Sequence, residues 1–144
     1  VAITDNREFG GTCANRGCDP KKIFLGAMEA YELSENLKGK GIGKPAKINW
    51  KQLQKYKRNF TSNIPASTEK SLTELGITLY HQSPKFIDEH TLLVEGKKVV
   101  AKKIVIATGL VPRTLNLPGA KHFKESDDFL NLKKLPKKIV FVGG

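Results

Sequence analysis

The sequence predicts an α/β chain on three observations. A glycine-rich turn, Phe9-Gly10-Gly11-Thr12-Cys13-Ala14-Asn15-Arg16-Gly17-Cys18-Asp19-Pro20-Lys21-Lys22, runs into a helix whose apolar positions Ile23, Ala27, Ala30, Leu33 and Leu37 recur at threes and fours. From Ile77 the apolar period changes to two, which reads as a short β-meander. After it comes Lys103-Ile104-Val105-Ile106-Ala107, an unbroken apolar strand of the kind buried in a parallel sheet.

The elements follow in order. Val1-Ala2-Ile3-Thr4 reads as a short strand ending at Asp5. In a dinucleotide-binding βαβ unit an acidic residue at the end of the second strand bonds a ribose hydroxyl, about 20 residues after a Gly-x-Gly-x-x-Gly turn. Such a turn is expected ahead of Val1. The helix behind the cysteines runs to about Leu37, and Gly39-Lys40-Gly41-Ile42-Gly43-Lys44-Pro45 is a loop. Asn49 caps a second helix with apolar positions Trp50, Leu53, Tyr56, Phe60 and Ile64. Pro65 breaks or restarts it, and Gly76 stops the next helical stretch beyond Leu72 and Leu75.

The period-two segments are Ile77–Tyr80, Lys85–Ile87, Thr91–Val94 and Val99–Val100, with a turn at Glu95-Gly96-Lys97. The apolar strand then exits through Ala107-Thr108-Gly109-Leu110-Val111-Pro112-Arg113. Ligands collect at the carboxyl ends of parallel strands, and glycine there lets backbone come close to one; a plain strand-to-loop exit is the alternative. Ser126 is expected to cap a short helix, with Asp127 and Asp128 in its first turn and a linker at Lys133–Lys138. Last, Lys137-Lys138-Ile139-Val140-Phe141-Val142-Gly143-Gly144 reads as a strand stopping where a second glycine-rich turn would begin. The expectation is a piece of a longer chain, truncated at both ends.

Composition bounds the function classes. The 144 residues suit one domain of average size, with 39% hydrophobic and 27% charged residues. No apolar run is long enough to span a membrane and no secretory signal opens the sequence, so a cytoplasmic protein is expected. The net charge of +11 comes from 25 basic and 14 acidic residues. The lysines are scattered apart from Lys38, Lys40, Lys44 and Lys47, and no aromatics interleave with them, so a solvated basic face is expected rather than nucleic-acid binding. His81, His90 and His122 have no ligand-like spacing, and no metal site is expected.

The chemistry sits in Cys13 and Cys18, which have four residues between them. On a helical turn this spacing brings two Cα atoms within the roughly 7 Å that a disulfide needs; along a strand it does not. A helix start also favours a thiolate. A redox dithiol and a pair of structural, buried cysteines both fit these residues.

The string Gly-Gly-Thr-Cys-x-Asn-x-Gly-Cys-x-Pro-Lys-Lys resembles the redox-active signature of the class I pyridine nucleotide–disulfide oxidoreductases, the family of glutathione reductase, dihydrolipoamide dehydrogenase and mercuric reductase. Its Pro20-Lys21-Lys22 ending leans to the glutathione-reductase-like branch, and Ala107-Thr108-Gly109-x-x-Pro112 resembles the segment that closes the family's flavin domain. The resemblance implies a Rossmann-like FAD-binding domain fragment with a three-stranded β-meander. Residues 1–135 would belong to the FAD-binding domain and 136–144 to the first strand of a nicotinamide-nucleotide domain. It further implies FAD, NADPH or NADH, a small-molecule disulfide substrate and a homodimer.

Carried over, Cys18 is the charge-transfer thiolate beside the flavin and Cys13 the interchange thiol that attacks a disulfide. Gly11 and Thr12 fall where the family wraps the ribityl and pyrophosphate groups, and Asp5 where a ribose-binding acid stands, seven residues before Thr12. Thr108 and Gly109 lie beside the cofactor, and Lys21 or Lys22 near flavin N5, where positive charge stabilises reduced flavin. The implied reaction passes electrons from NAD(P)H through FAD to the Cys13–Cys18 disulfide and on to a disulfide such as glutathione disulfide. Mercuric ion and dihydrolipoamide are rival substrates, and a standalone basic binding module with structural cysteines is the alternative from another class. Three features depart from the pattern: Asp5 replaces the usual Glu, Asp19 places negative charge beside Cys18 where Arg16 could compensate, and Pro84 lacks an amide donor. The chain alone is expected to be inactive, because the family's histidine–glutamate acid–base pair comes from a C-terminal domain across the dimer.

Overall fold

The computed structural model describes residues 1–113 and 115–142. The chain divides into two units, Val1–Gly11 with Asn63–Phe123, and Thr12–Ser62 with the segment beginning at Lys124.

In the first unit, β1 (Ala2–Thr4) pairs in parallel with β2 (Thr78–Tyr80), Ile3 opposite Leu79. The ladder continues past β1, where the Asp5 N–H donates to the Tyr80 carbonyl at 3.0 Å. The Thr4 hydroxyl also donates to the Gln82 carbonyl. The helix named here α4 (Ile64–Glu74, numbered after three helices of the other unit) packs on β2. It carries Pro65 in its first turn, where a missing N–H costs nothing. It ends in a Schellman turn: Gly76 takes φ +72°, its N–H meets the Thr73 carbonyl at 2.9 Å, and the Ile77 N–H meets the Leu72 carbonyl at 3.1 Å.

The meander is three-stranded and antiparallel: β3 (Lys85–Phe86), β4 (Thr91–Val94) and β5 (Lys97–Val100). The β4–β5 turn consists of Glu95 at φ +49° and Gly96 at φ +73°, with Val94 opposite Lys97. Two successive positive φ values give the turn the twist that the strands require. Thr78–Tyr80, which the sequence groups with these strands, pairs with β1 instead. Val94 and Phe9 are the buried apolar residues here, and Phe9 meets the His81 ring edge-on, centroids 5.2 Å apart.

The second unit is helical, with α1 (Gly11–Arg16, its first residue falling in the other unit), α2 (Cys18–Asn36), α3 (Trp50–Thr61) and α5 (Ser126–Leu130). Asn49 caps α3 as expected, its Oδ1 accepting the Gln52 N–H at 3.1 Å. Helices α2 and α3 pack together, and the rings of Phe24, Trp50 and Phe129 form an aromatic cluster with centroids 4.8 to 6.5 Å apart. Leu130 and Pro20 are buried, as are the polar Gln54 and Lys57, both of which donate to the Leu130 carbonyl.

Two further expectations change. Residues 103–107 and 137–142 form no strand, and Val105 and Phe141 are 87% and 80% exposed. A strand exists only where a ladder partner does; among the described residues the parallel sheet contains β1 and β2 alone. The paired glycines 143 and 144 lie outside the described residues. The cap of α5 is Glu125 rather than Ser126: it lies in extended backbone, and Glu125 and Asp128 exchange side chain-to-backbone hydrogen bonds in a capping box, one at 3.0 Å. With Ser126 already helical, Asp127 and Asp128 still occupy the first turn.

Candidate functional site

Successive glycines at positive φ, Gly10 at +105° and Gly11 at +68°, turn the chain out of the segment after β1 and into α1. Cys13 is the third residue of α1 and is exposed; Cys18 opens α2 and is half-buried. The single residue between the two helices is Gly17. A Cβ there would come within 2.8 Å of the Thr12 carbonyl oxygen and 3.1 Å of Cys13 Cα. Glycine thus lets the backbone of α1 lie close against the residue that precedes α2, with one cysteine on each helix. Gly17 is a site residue that composition and periodicity do not flag; its signal is a glycine immediately before the second cysteine.

Both cysteines are free thiols. Cys13 is held above its ordinary pKa, first by its side-chain hydrogen bond with Cys18, then by burial, and lastly by the charges of Cys18 and Asp19; the Cys18 backbone N–H pulls the other way. Cys13 stands inside a one-and-a-half-turn helix, and its neighbour is a second thiol rather than a cation. The Asp19 charge raises the Cys13 pKa and is the smallest of its causes. Pro20 is buried in the first turn of α2, and the Lys21 N–H bonds the Gly17 carbonyl at 3.1 Å. Lys21 and Lys22 are exposed, and Lys22 borders an open groove between α2 and α3 with Ile23, Ala27, Leu53, Tyr56 and Phe60.

The remaining candidates are placed as follows. Asp5 is half-buried just past the carboxyl end of β1, and its Oδ1 accepts the Arg7 N–H at 2.9 Å. Gly11 and Thr12 are exposed at the start of α1. Thr108 and Gly109 are exposed, with Gly109 at φ +72°. Asp5, Gly11, Thr108 and Gly109 belong to the first unit, and Thr12, Cys13, Cys18, Lys21 and Lys22 to the second. A carboxylate at the carboxyl end of a parallel strand and glycines at positive φ fit the requirements of a nucleotide cofactor, residue by residue.

Comparison with known proteins gives the same direction. A family model described as pyridine nucleotide-disulphide oxidoreductase matches residues 1–144. Glutathione reductase of Nostoc sp. is 34% identical, over 99% of this chain and 31% of that enzyme. Dihydrolipoyl dehydrogenase of Mycoplasma pneumoniae is 30% identical, over 99% of this chain and 33% of that enzyme. Mercuric reductase of Bacillus cereus is 31% identical, over 99% of this chain and 23% of that enzyme. Among solved structures, the Cu(II) complex of the HOCl-induced flavoprotein disulfide reductase RclA from Escherichia coli superposes with a TM-score of 0.76 at 24% identity, covering 94% of this chain and 29% of that one. The chain spans about a third or less of the length of these relatives.

Proposed function

The chain belongs to the pyridine nucleotide-disulphide oxidoreductases, and on that premise we propose that it forms the dithiol-bearing part of an FAD-dependent NAD(P)H:disulfide oxidoreductase. The observation that carries the reading is the placement of Cys13 and Cys18 on two successive helices either side of Gly17, where only glycine fits against the Thr12 carbonyl. Thiols five residues apart at such a helical turn can close to a disulfide and reopen with little backbone movement.

The chain's own chemistry is thiol–disulfide exchange. In the reduced state Cys13, the exposed member, loses its proton and attacks one sulfur of the substrate disulfide. A mixed disulfide forms and the first product thiol leaves. Cys18 then attacks Cys13 Sγ, which releases the second thiol and leaves the Cys13–Cys18 disulfide. Two electrons and two protons restore the dithiol. Bound FAD supplies the two-electron relay from NAD(P)H to that disulfide. Asp5 would hold a ribose hydroxyl of the cofactor, Gly11 and Thr12 its pyrophosphate side, Thr108 and Gly109 its edge, and Lys21 or Lys22 would place positive charge near the ring.

Glutathione disulfide is the nominal substrate, following the Pro20-Lys21-Lys22 ending, and the working enzyme is proposed to be a homodimer. The test is the visible spectrum of the full-length protein before and after anaerobic two-electron reduction. A flavin spectrum that gains a long-wavelength shoulder supports the roles of Cys13 and Cys18. Bleaching without a shoulder removes those roles, and absence of flavin removes the proposal. Turnover assays with glutathione disulfide, dihydrolipoamide and mercuric ion then choose the substrate.

A further inference from the structure

A five-residue helix such as α5 is far too short to persist by itself, so something outside it must hold it. Its last four carbonyls need partners from beyond the helix. Three of them are met locally: the Asn131 side chain donates to Asp127 at 2.9 Å, the Asn131 N–H to Asp128 at 3.1 Å, and the Leu132 N–H to Phe129 at 3.2 Å. The fourth, on Leu130, is met by α3. Lys57 Nζ donates to it at 2.6 Å and Gln54 Nε2 at 3.0 Å.

The grip extends to either side of that carbonyl. Gln54 Nε2 also reaches the Leu132 carbonyl at 3.1 Å, Trp50 Nε1 donates to the same oxygen at 2.8 Å, and Lys57 Nζ reaches Asn131 Oδ1 at 3.3 Å. Trp50, Gln54 and Lys57 are spaced at four and three residues on α3, so they form one row along a single helical face.

We infer that this row is a latch, with Lys57 as its positioning residue: it caps the end of α5 from another helix and fixes residues 126–132 within this unit, ahead of the segment that follows them. Lys57 and Gln54 are each only 4% exposed, and burying a cation is costly unless its donors are used well. A helix C-terminus favours positive charge, and the Phe24 ring lies 5.8 Å from the ammonium. Burial lowers the Lys57 pKa, as expected of an ammonium held by neutral dipoles. The consequence for turnover rests on the proposed function together with the expectation that residues 136–144 begin a nicotinamide-nucleotide domain; the latch itself does not.

Hydrogen–deuterium exchange of the full-length protein tests it. Lys57→Met should speed exchange in 126–132 by about tenfold while α2 is unchanged, because loss of charge-assisted bonds opens the segment locally. Lys57→Arg, which keeps the donors and charge, should restore most of the protection. Unchanged exchange in 126–132, or an increase spread equally over α2 and α3, overturns the latch. Should Lys57→Met fail to fold, Gln54→Met decides by the same criterion; it removes two donated bonds together with a buried, unbonded Oε1. Flavin reduction by NAD(P)H should slow in Lys57→Met at unchanged flavin content and thiol titre, and an unchanged rate overturns the consequence for turnover. A full-length protein without flavin would sink the proposed function, while the exchange result still judges the latch.

Discussion

Cys13 is the more exposed of the two thiols, yet its surroundings favour the protonated form. A raised pKa means little thiolate at neutral pH and reactivity that climbs as pH rises toward that value. The largest cause is the hydrogen bond with Cys18. Cys18→Ala should therefore lower the Cys13 pKa, and alkylation of Cys13 at near-neutral pH should become faster, followed by mass spectrometry. Asp19→Asn should act in the same direction and less, since that charge is the last cause. Slower alkylation in Cys18→Ala would sink the account. Gly17 gives a second test at this scale. An alanine Cβ would meet the Thr12 carbonyl at 2.8 Å, and that contact is backbone, which cannot swing aside. Gly17→Ala should cost about 1–3 kcal/mol in denaturant unfolding and slow closure of the Cys13–Cys18 disulfide. The dithiol was legible from cysteine spacing and the glycine-rich signature. The direction of its pKa was not, because it depends on which atom faces the sulfur.

Elements stabilised by near neighbours in sequence were the readable ones. Asn49 capping α3, Gly76 ending α4 and Glu95-Gly96 turning β4 into β5 all rest on bonds within a few residues. Asn49→Ala should accordingly cost about 1 kcal/mol, seen as a lowered melting temperature of the helical unit. The hairpin between β3 and β4 carries a pH signature. Asp88 Oδ1 accepts the His90 N–H at 2.9 Å, and that bond, then one from the Thr91 side chain, holds the carboxyl below its ordinary value. The charged form is the one favoured by folding, so its contribution is complete above the unfolded carboxylate pKa. It is lost only as pH falls through the lower folded value. Asp88→Asn should flatten the acid-range change in the His90 amide signal; an identical titration in the variant would remove Asp88 as its cause. What sequence misassigned at this scale was partner choice, as when Thr78–Tyr80 joined β1 in parallel rather than the meander. An apolar period of two records which face is buried and carries no information about the neighbouring strand.

Across the whole chain the same distinction decides what is hidden. A helix closes its hydrogen bonds within itself, whereas a strand borrows them from elsewhere. The apolar runs at 103–111 and 137–142 are strand-like in composition and lack such a partner among the described residues, and most of their large apolar side chains face solvent. Leu110 and Val111 are 100% and 85% exposed in one run, Val140 and Phe141 84% and 80% in the other. Contiguous apolar surface of this kind associates. The net charge of +11 opposes it through mutual repulsion between copies, and that repulsion is screened as ionic strength rises. The 144-residue chain in isolation should therefore bind a hydrophobic dye and remain dispersed at low salt, then self-associate as salt is added. Val105→Lys and Phe141→Lys act on both opposing terms at once, removing apolar area and adding charge. Together they should reduce dye fluorescence and move the onset of association to higher salt, with helical circular dichroism unchanged, because neither residue lies in a helix. Dye binding that is indifferent to both substitutions would mean that the apolar surface seen by the dye lies elsewhere, on the Tyr56 and Phe60 side of the α2–α3 groove, where these rings are 54% and 52% exposed.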